Sequence, residues 1–175
     1  MMIVIICLAV VLLEIIFLMI SNKKNREQIN YMKAAANIAR DMELDYLLRN
    51  PYALDAAGSV MPDIHNFICL SQKNAQTKQE YVFGLNNVIN IGRARNNNQL
   101  IVNDNTVSEY HCAIYRDQGT VFIRDLNSAN GLILKTGKMK KYLISDGNSA
   151  VLSDGNTIVI GTMEFLVRFI YLENH

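Results

Sequence analysis

The stretch IGRARNNNQLIVNDNTVSEYH, Ile91 to His111, decides how this chain is read. A short apolar run ends in Gly92-Arg93, and an Asn-rich polar loop follows. A second apolar run, Leu100 to Val102, leads into another polar loop that ends at Ser108, with His111 three residues on. Short apolar runs bounded by Asn, Asp, Ser and Gly are the mark of strands joined by turns. The pattern therefore predicts strands whose polar loops carry one arginine, one serine and one histidine.

The same punctuation continues outward. Pro62 is the last proline, and after it come NFICLSQ, EYVFGL, NVINIG, QLIV, HCAIYRD, TVFIRDL, GLILKT, KMKKYLI, SAVL, TIVIG and MEFLVRFIYL. Gln118-Gly119, Gly137 and Asp154-Gly155 supply turn chemistry between them. No segment here has a helical period. An all-β antiparallel sandwich of ten to eleven strands, about 110 residues, is expected over 65–173.

Upstream the pattern changes. Tyr31, Ala35, Ile38, Met42 and Tyr46 recur at three- and four-residue steps, which predicts a helix with one apolar stripe. It would extend the segment before it, lie on the membrane, pair with a partner or pack on the following domain. Asn50-Pro51 ends it, because the residue before proline disfavours the helical region. Residues 51–64 hold both prolines of the chain and read as a linker. Residues 1–20, MMIVIICLAVVLLEIIFLMI, carry a single charge, Glu14. That length matches a bilayer core of about 30 Å. No basic residue precedes the run and no small-residue cleavage site follows it, so an uncleaved single-pass anchor is expected over 1–20, with a juxtamembrane helix over 21–50. Lys23, Lys24 and Arg26 follow the run directly, which places the C-terminal bulk in the cytoplasm and the N-terminus outside. Glu14 is either tolerated in the apolar helix or faces a transmembrane partner.

Charge and cysteine content exclude several classes. Seventeen basic and sixteen acidic residues in 175 make no basic face of the kind nucleic-acid binders show. Cys7, Cys69 and Cys112 are too scattered for a zinc site or a disulfide framework, and no metal or cofactor is expected. Ser108, His111 and an acid such as Asp104 or Asp125 invite comparison with a nucleophile triad. No nucleophile elbow surrounds the serine, however, and no phosphate-binding glycine loop or dinucleotide fingerprint occurs. Recognition fits better. The loops 93–98, 103–108 and 127–131 offer a guanidinium, hydroxyls, carboxamides and backbone amides, a donor set suited to a phosphate on an extended peptide. Each residue also has an ordinary reading: Arg93 as a surface ion-pair residue, Ser108 as a cap, Asn130-Gly131 as a plain turn.

Gly92-Arg93, Ser108-x-x-His111 and Asn130-Gly131, in that order at strand ends, resemble the forkhead-associated (FHA) domain motif. The C-terminal SAVLSDGNTIVIGTMEFLVRF is similar to that family's closing hairpin, and the resemblance covers about 65–173. It implies a phosphothreonine-binding module without enzymatic activity, taking no small-molecule substrate and working downstream of a serine/threonine kinase. It implies that Arg93 grips the phosphate, Ser108 bonds it through its hydroxyl and Asn130 orients the peptide backbone. Gly92, His111 and Gly131 would hold the loops in shape. The chain departs from the family where Arg, Lys or Asn often follows the motif serine, since Glu109 and Tyr110 stand there. It departs again where Ser or Thr often precedes Asn-Gly, since Ala129 stands there. A carboxylate beside a phosphate opposes binding unless it points away. Arg95 offers a second cation. The alternative is a structural adaptor that binds without phosphate and assembles through its membrane helix.

Overall fold

The computed structural model describes residues 2–49, 66–73, 79–137 and 140–172, without the side chains of 2–10, 46, 47, 49 and 73. Among these residues one helix, α1 (Met2–Arg49), is followed by eleven strands. These are β1 (Asn66–Lys73), β2 (Glu80–Gly84), β3 (Ile89–Gly92), β4 (Leu100–Ile101), β5 (Cys112–Asp117) and β6 (Thr120–Asp125). β7 (Leu132–Thr136), β8 (Lys140–Ile144), β9 (Ser149–Val151), β10 (Thr157–Ile160) and β11 (Met163–Tyr171) complete the set. The linker expected at 51–64 lies outside the described residues, as do the side chains of Tyr46 and Cys7.

The strands form two sheets. One has six strands in the order β2-β1-β11-β10-β7-β8, the other five in the order β4-β3-β5-β6-β9. Alternating side chains from both meet in one core that includes Ile68, Leu70, Ile91, Ile114, Ile123, Leu132, Ile158, Ile160 and Phe165. The sandwich is not wholly antiparallel: β3 and β4 pair in parallel, Ile91 with Leu100 and Gly92 with Ile101. The loop between them is turned by Asn97 in the left-handed region (φ 64°), a conformation asparagine tolerates. The bond from Gln99 N–H to the Asn90 carbonyl, 2.9 Å, closes it.

β1 is buried on both faces, from Phe67 to Leu70. Its even-numbered apolar residues fill the sandwich. Phe67 and Cys69 point the other way and, with Ile170 of β11, meet Tyr31, Ala35 and Ala39 of α1. Ile38 and Met42 pack on the same cluster. Of the placements open to the apolar stripe, the structure shows docking on the outer face of the six-stranded sheet. Two alanines at the centre let the helix approach closely. Tyr31 donates to Glu80 Oε1 at 2.5 Å, fixing the helix to β2.

The apolar run and the amphipathic stretch after it form one uninterrupted helix. Among the described residues no helix is long and apolar enough to cross a membrane, so the expected anchor over 1–20 is not supported. The side chains of the first ten residues of that run lie outside those described.

Candidate functional site

Three loops meet at one end of the sandwich, and the sequence shows why they can. A Cβ on Gly92 would stand 2.2 Å from the Glu109 carbonyl oxygen and 2.8 Å from its carbon. Only glycine lets the β4–β5 loop cross the end of β3 that closely. The crossing is stitched by backbone bonds from Arg93 N–H to the Ser108 carbonyl (2.9 Å) and from Ala94 N–H to the Glu109 carbonyl (3.1 Å). The Asn98 side chain completes it, Nδ2 donating to the Ala94 and Glu109 carbonyls at 2.8 Å each. Its Oδ1 is buried without a partner among the described residues. Arg93 is exposed, and its Nε donates to the Val107 carbonyl at 3.2 Å. That bond holds the root of the guanidinium, and Arg93 makes no ion pair among the described residues.

The β4–β5 loop has its own clamp. Asp104 Oδ1 accepts from Thr106 N–H (2.8 Å) and Oγ1 (2.7 Å), and Oδ2 accepts from Thr162 N–H (2.9 Å) and Oγ1 (2.5 Å). The Thr162 hydroxyl first, then the Thr106 hydroxyl and both amides, hold this carboxyl far below the usual carboxylate range. The clamp ties the loop to the β10–β11 turn.

The β6–β7 loop is anchored from beneath. Asp125 is fully buried and accepts from Ser128 Oγ at 2.6 Å and from Gly147 N–H at 3.3 Å. The next residue, Ala129, donates its N–H to Ser108 Oγ at 3.0 Å. Asn130 Nδ2 donates to the Thr106 carbonyl at 2.9 Å. Gly131 takes φ 64°, and a Cβ there would meet the Ile144 carbonyl at 2.7 Å.

His111 sits at the hub, fully buried. Ser108 N–H donates to its Nδ1 at 3.1 Å, so the proton lies on Nε2, which donates to the Gly131 carbonyl at 3.0 Å. Burial pushes its pKa below 6.5, outweighing the Gly131 bond and the charge of Asp125, which favour the cation. A neutral histidine is the form this network needs.

This arrangement does not make a nucleophile. His111 contacts the backbone of Ser108 rather than its hydroxyl, and both ring nitrogens are committed. Ser108 Oγ instead accepts from Ala129 N–H, which leaves its own proton free to be donated outward. The structure thus brings Arg93, Ser108 and Asn130 onto three loops, the first and third each bonded to the β4–β5 loop between them. Arg95 is exposed on the first loop. Glu109 commits its carbonyl to the crossing, while its side chain, like Tyr110, is exposed. Ala129 contributes an amide only, and its neighbour Ser128 turns its hydroxyl inward to Asp125. The supporting residues Asn98, Asp104, Thr106, Asp125 and Thr162 were not assigned such roles by sequence reasoning. Asp104-x-Thr106 has the spacing of a side-chain-capped turn, whereas nothing in the sequence links Thr162 to it.

Residues 89–161 match the model of the FHA domain, a span that contains all three loops and is shorter than half the chain. Over that span the chain is similar to FHA domains. An FHA domain of a hypothetical protein from Arabidopsis thaliana superposes with a TM-score of 0.50 at 24% identity, covering 63% of this chain and 91% of that one. The FHA domain of CT664 from Chlamydia trachomatis gives 0.48 at 22% identity, covering 59% and 96%. A structure described as an analysis of phosphothreonine-dependent FHA domain interactions gives 0.46 at 24% identity, covering 62% and 99%. No curated protein matches the chain.

Proposed function

We propose that this FHA domain binds phosphothreonine-containing partner proteins in serine/threonine kinase signalling through its three-loop end. The observation that carries the proposal is the state of Ser108: its oxygen accepts from Ala129 N–H, which leaves its hydroxyl proton available to a ligand. Arg93 supplies the charge, with its root held by the Val107 carbonyl. A guanidinium beside a hydroxyl donor matches the oxygens of a phosphate ester. Asn130 uses one of its two amide hydrogens on Thr106, which leaves the other hydrogen and Oδ1 for the backbone of an extended peptide. Arg95, Glu109 and Tyr110 border this surface and set which residues may flank the phosphothreonine. Ala129, without a hydroxyl, takes one donor away. Such a charge-assisted bond is worth about 1.5–3 kcal/mol.

The test is titration of the full chain with phosphothreonine peptides, beside phosphoserine and unphosphorylated versions. Ser108→Ala should weaken phosphothreonine binding by about tenfold or more. Equal affinity for the unphosphorylated peptide would support the adaptor reading instead.

We further propose that the apolar first part of α1 tethers the domain to a membrane with the sandwich on the cytoplasmic side, and that Glu14 meets a transmembrane partner. The support is the composition of residues 1–20 and the exposure of every residue from Val11 to Ile20 on the helix. Alkaline extraction of membranes carrying the full chain tests it; release into the soluble fraction would remove the tether from the account.

A further inference from the structure

α1 covers only part of the outer face of the six-stranded sheet, and a groove opens along its flank. Arg168 of β11 pairs with Cys69 of β1, and Cys69 meets α1. Arg168 therefore stands on the same outer face, beside the helix. The groove between helix and strand holds about 1030 Å³, at the top of the range of about 300–1,000 Å³ for small-ligand sites. Arg168 forms part of its wall, with Lys24, Met32, Lys33, Phe169 and Tyr171 among others.

The lining is divided chemically. Ile29 and Met32 of α1 and Tyr171 of β11 are exposed apolar side chains. Lys24 and Lys33 are exposed cations on the helix. Arg168 is half-buried, and its Nε is buried without a partner among the described residues. Nor does Arg168 make an ion pair among those residues. The acids of the lining are Glu27 and Asp154, and Asp154 Oδ1 accepts from the Phe169 N–H at 2.8 Å. Buried donors are nearly always satisfied. A guanidinium with a buried donor unmatched calls for an oxyanion, and its fork of donors suits a phosphate.

The position of the groove along α1 says which phosphate. Every residue from Val11 to Ile20 is exposed, and Lys24 follows Ile20 by four residues on the same unbroken helix, about 6 Å at helical rise. The polar layer of one bilayer leaflet is about 5–8 Å deep. With the apolar run in hydrocarbon, the groove begins at headgroup depth. The three-loop end lies elsewhere. Thr162, clamped to Asp104, precedes β11, and Tyr171 ends it, about 30 Å away at strand rise.

We propose that this groove binds the headgroup of an anionic phospholipid, with the phosphate on Arg168, Lys24 and Lys33 at the rim, and the upper acyl chain against Ile29, Met32 and Tyr171. It rests on the membrane tether proposed above. Basic pockets beside membrane helices on the cytoplasmic side take such headgroups. The apolar lining selects a lipid over a free phosphate ester, which has no chain to bury there.

The test has two arms, both on the full chain. Flotation with vesicles of phosphatidylcholine alone reads the tether without the headgroup site. The site is read in neutral detergent, by following the Arg168 Nε–H resonance by NMR during titration with dihexanoyl phosphatidylglycerol, dihexanoyl phosphatidylcholine or glycerol phosphate. Phosphatidylglycerol should shift that resonance saturably, and the other two should need at least about tenfold higher concentration. Lys24→Gln with Lys33→Gln, a change of two exposed side chains, should weaken the phosphatidylglycerol response by about tenfold or more. Arg168→Gln should abolish saturable binding, read there from the Tyr171 ring resonances. A shift that is absent, equal with phosphatidylcholine or glycerol phosphate, or unchanged in the lysine variant would overturn the proposal. A chain that floats without the shift loses the site and keeps the tether, and the reverse result keeps the site and loses the tether.

Discussion

Gly92→Ala should damage the protein far more than one methyl group suggests. The added Cβ would lie 2.2 Å from the Glu109 carbonyl oxygen, a backbone atom that cannot swing away as a side chain does. To restore contact distance, β3 and the β4–β5 loop must part by about 1 Å. Inserting a methyl into such a close approach costs about 1–3 kcal/mol. The parting also stretches the bonds from Arg93 N–H to Ser108, from Ala94 N–H to Glu109 and from Asn98 to Glu109. Each is worth about 0.5–1.5 kcal/mol net. A loss of about 3 kcal/mol follows, from a total of about 5–15 for an ordinary domain. For a sandwich of this size that lowers Tm by about 10–20 °C. Thermal unfolding followed by circular dichroism measures it, with phosphopeptide titration below the transition as the second readout. Both should fall, because the crossing carries Arg93 on one side and Ser108 on the other. A variant that melts within about 2 °C of the parent would refute the steric argument.

Other outcomes follow from the same contacts. His111 is neutral in the fold with its pKa depressed, so below pH 6.5 the unfolded chain binds a proton that the folded chain refuses. Stability should then fall as pH drops from 6.5 toward the depressed value, by up to about 1.4 kcal/mol per pH unit, with no contribution above that window. NMR should show the Nε2–H tautomer persisting at pH 6; an ordinary titration centred at 6.5 would contradict this. Asp104→Asn removes one acceptor oxygen from a clamp that otherwise survives to strongly acidic pH. Amide exchange at Thr106 and Thr162 should quicken, whereas exchange in β1 should not. Phe67→Ala should cost about 3–5 kcal/mol, the value of a core aromatic, because α1 covers it. A cost below about 1 kcal/mol would show that the helix does not dock in solution.

Much of this was legible in the sequence because strands announce themselves by alternation and turns by their residues. Each of the eleven apolar runs after Pro62 corresponds to one strand. Gly92-Arg93, Ser108 and Asn130-Gly131 could be placed on loops, since polar punctuation marks loop positions. The parallel pairing of β3 with β4 was not legible. It depends on how a loop folds back through Asn97, and sequence periodicity carries no strand direction. The place of α1 was open for a similar reason: a stripe such as Tyr31, Ala35 and Ile38 says that one face is buried, not against what. The clue lay in β1, where Phe67 and Cys69 interrupt alternation because both faces are covered. The deeper supports of the site, Asp104 with Thr162 and Asp125 with Gly147, join residues distant in sequence, so only the folded chain brings them together.

The docking of α1 also bears on how the central claim should be tested. A fragment beginning near Asp63 would uncover Phe67, Cys69 and Ile170, so the chain should be used with its helix. The most direct measurement is titration of that protein with a degenerate phosphothreonine peptide library, with phosphoserine and unphosphorylated libraries and an Arg93→Ala protein alongside. The account expects selective phosphothreonine binding that Arg93→Ala removes while the fold remains intact. A well-folded chain that binds no phosphopeptide, or whose binding survives Arg93→Ala, would contradict it.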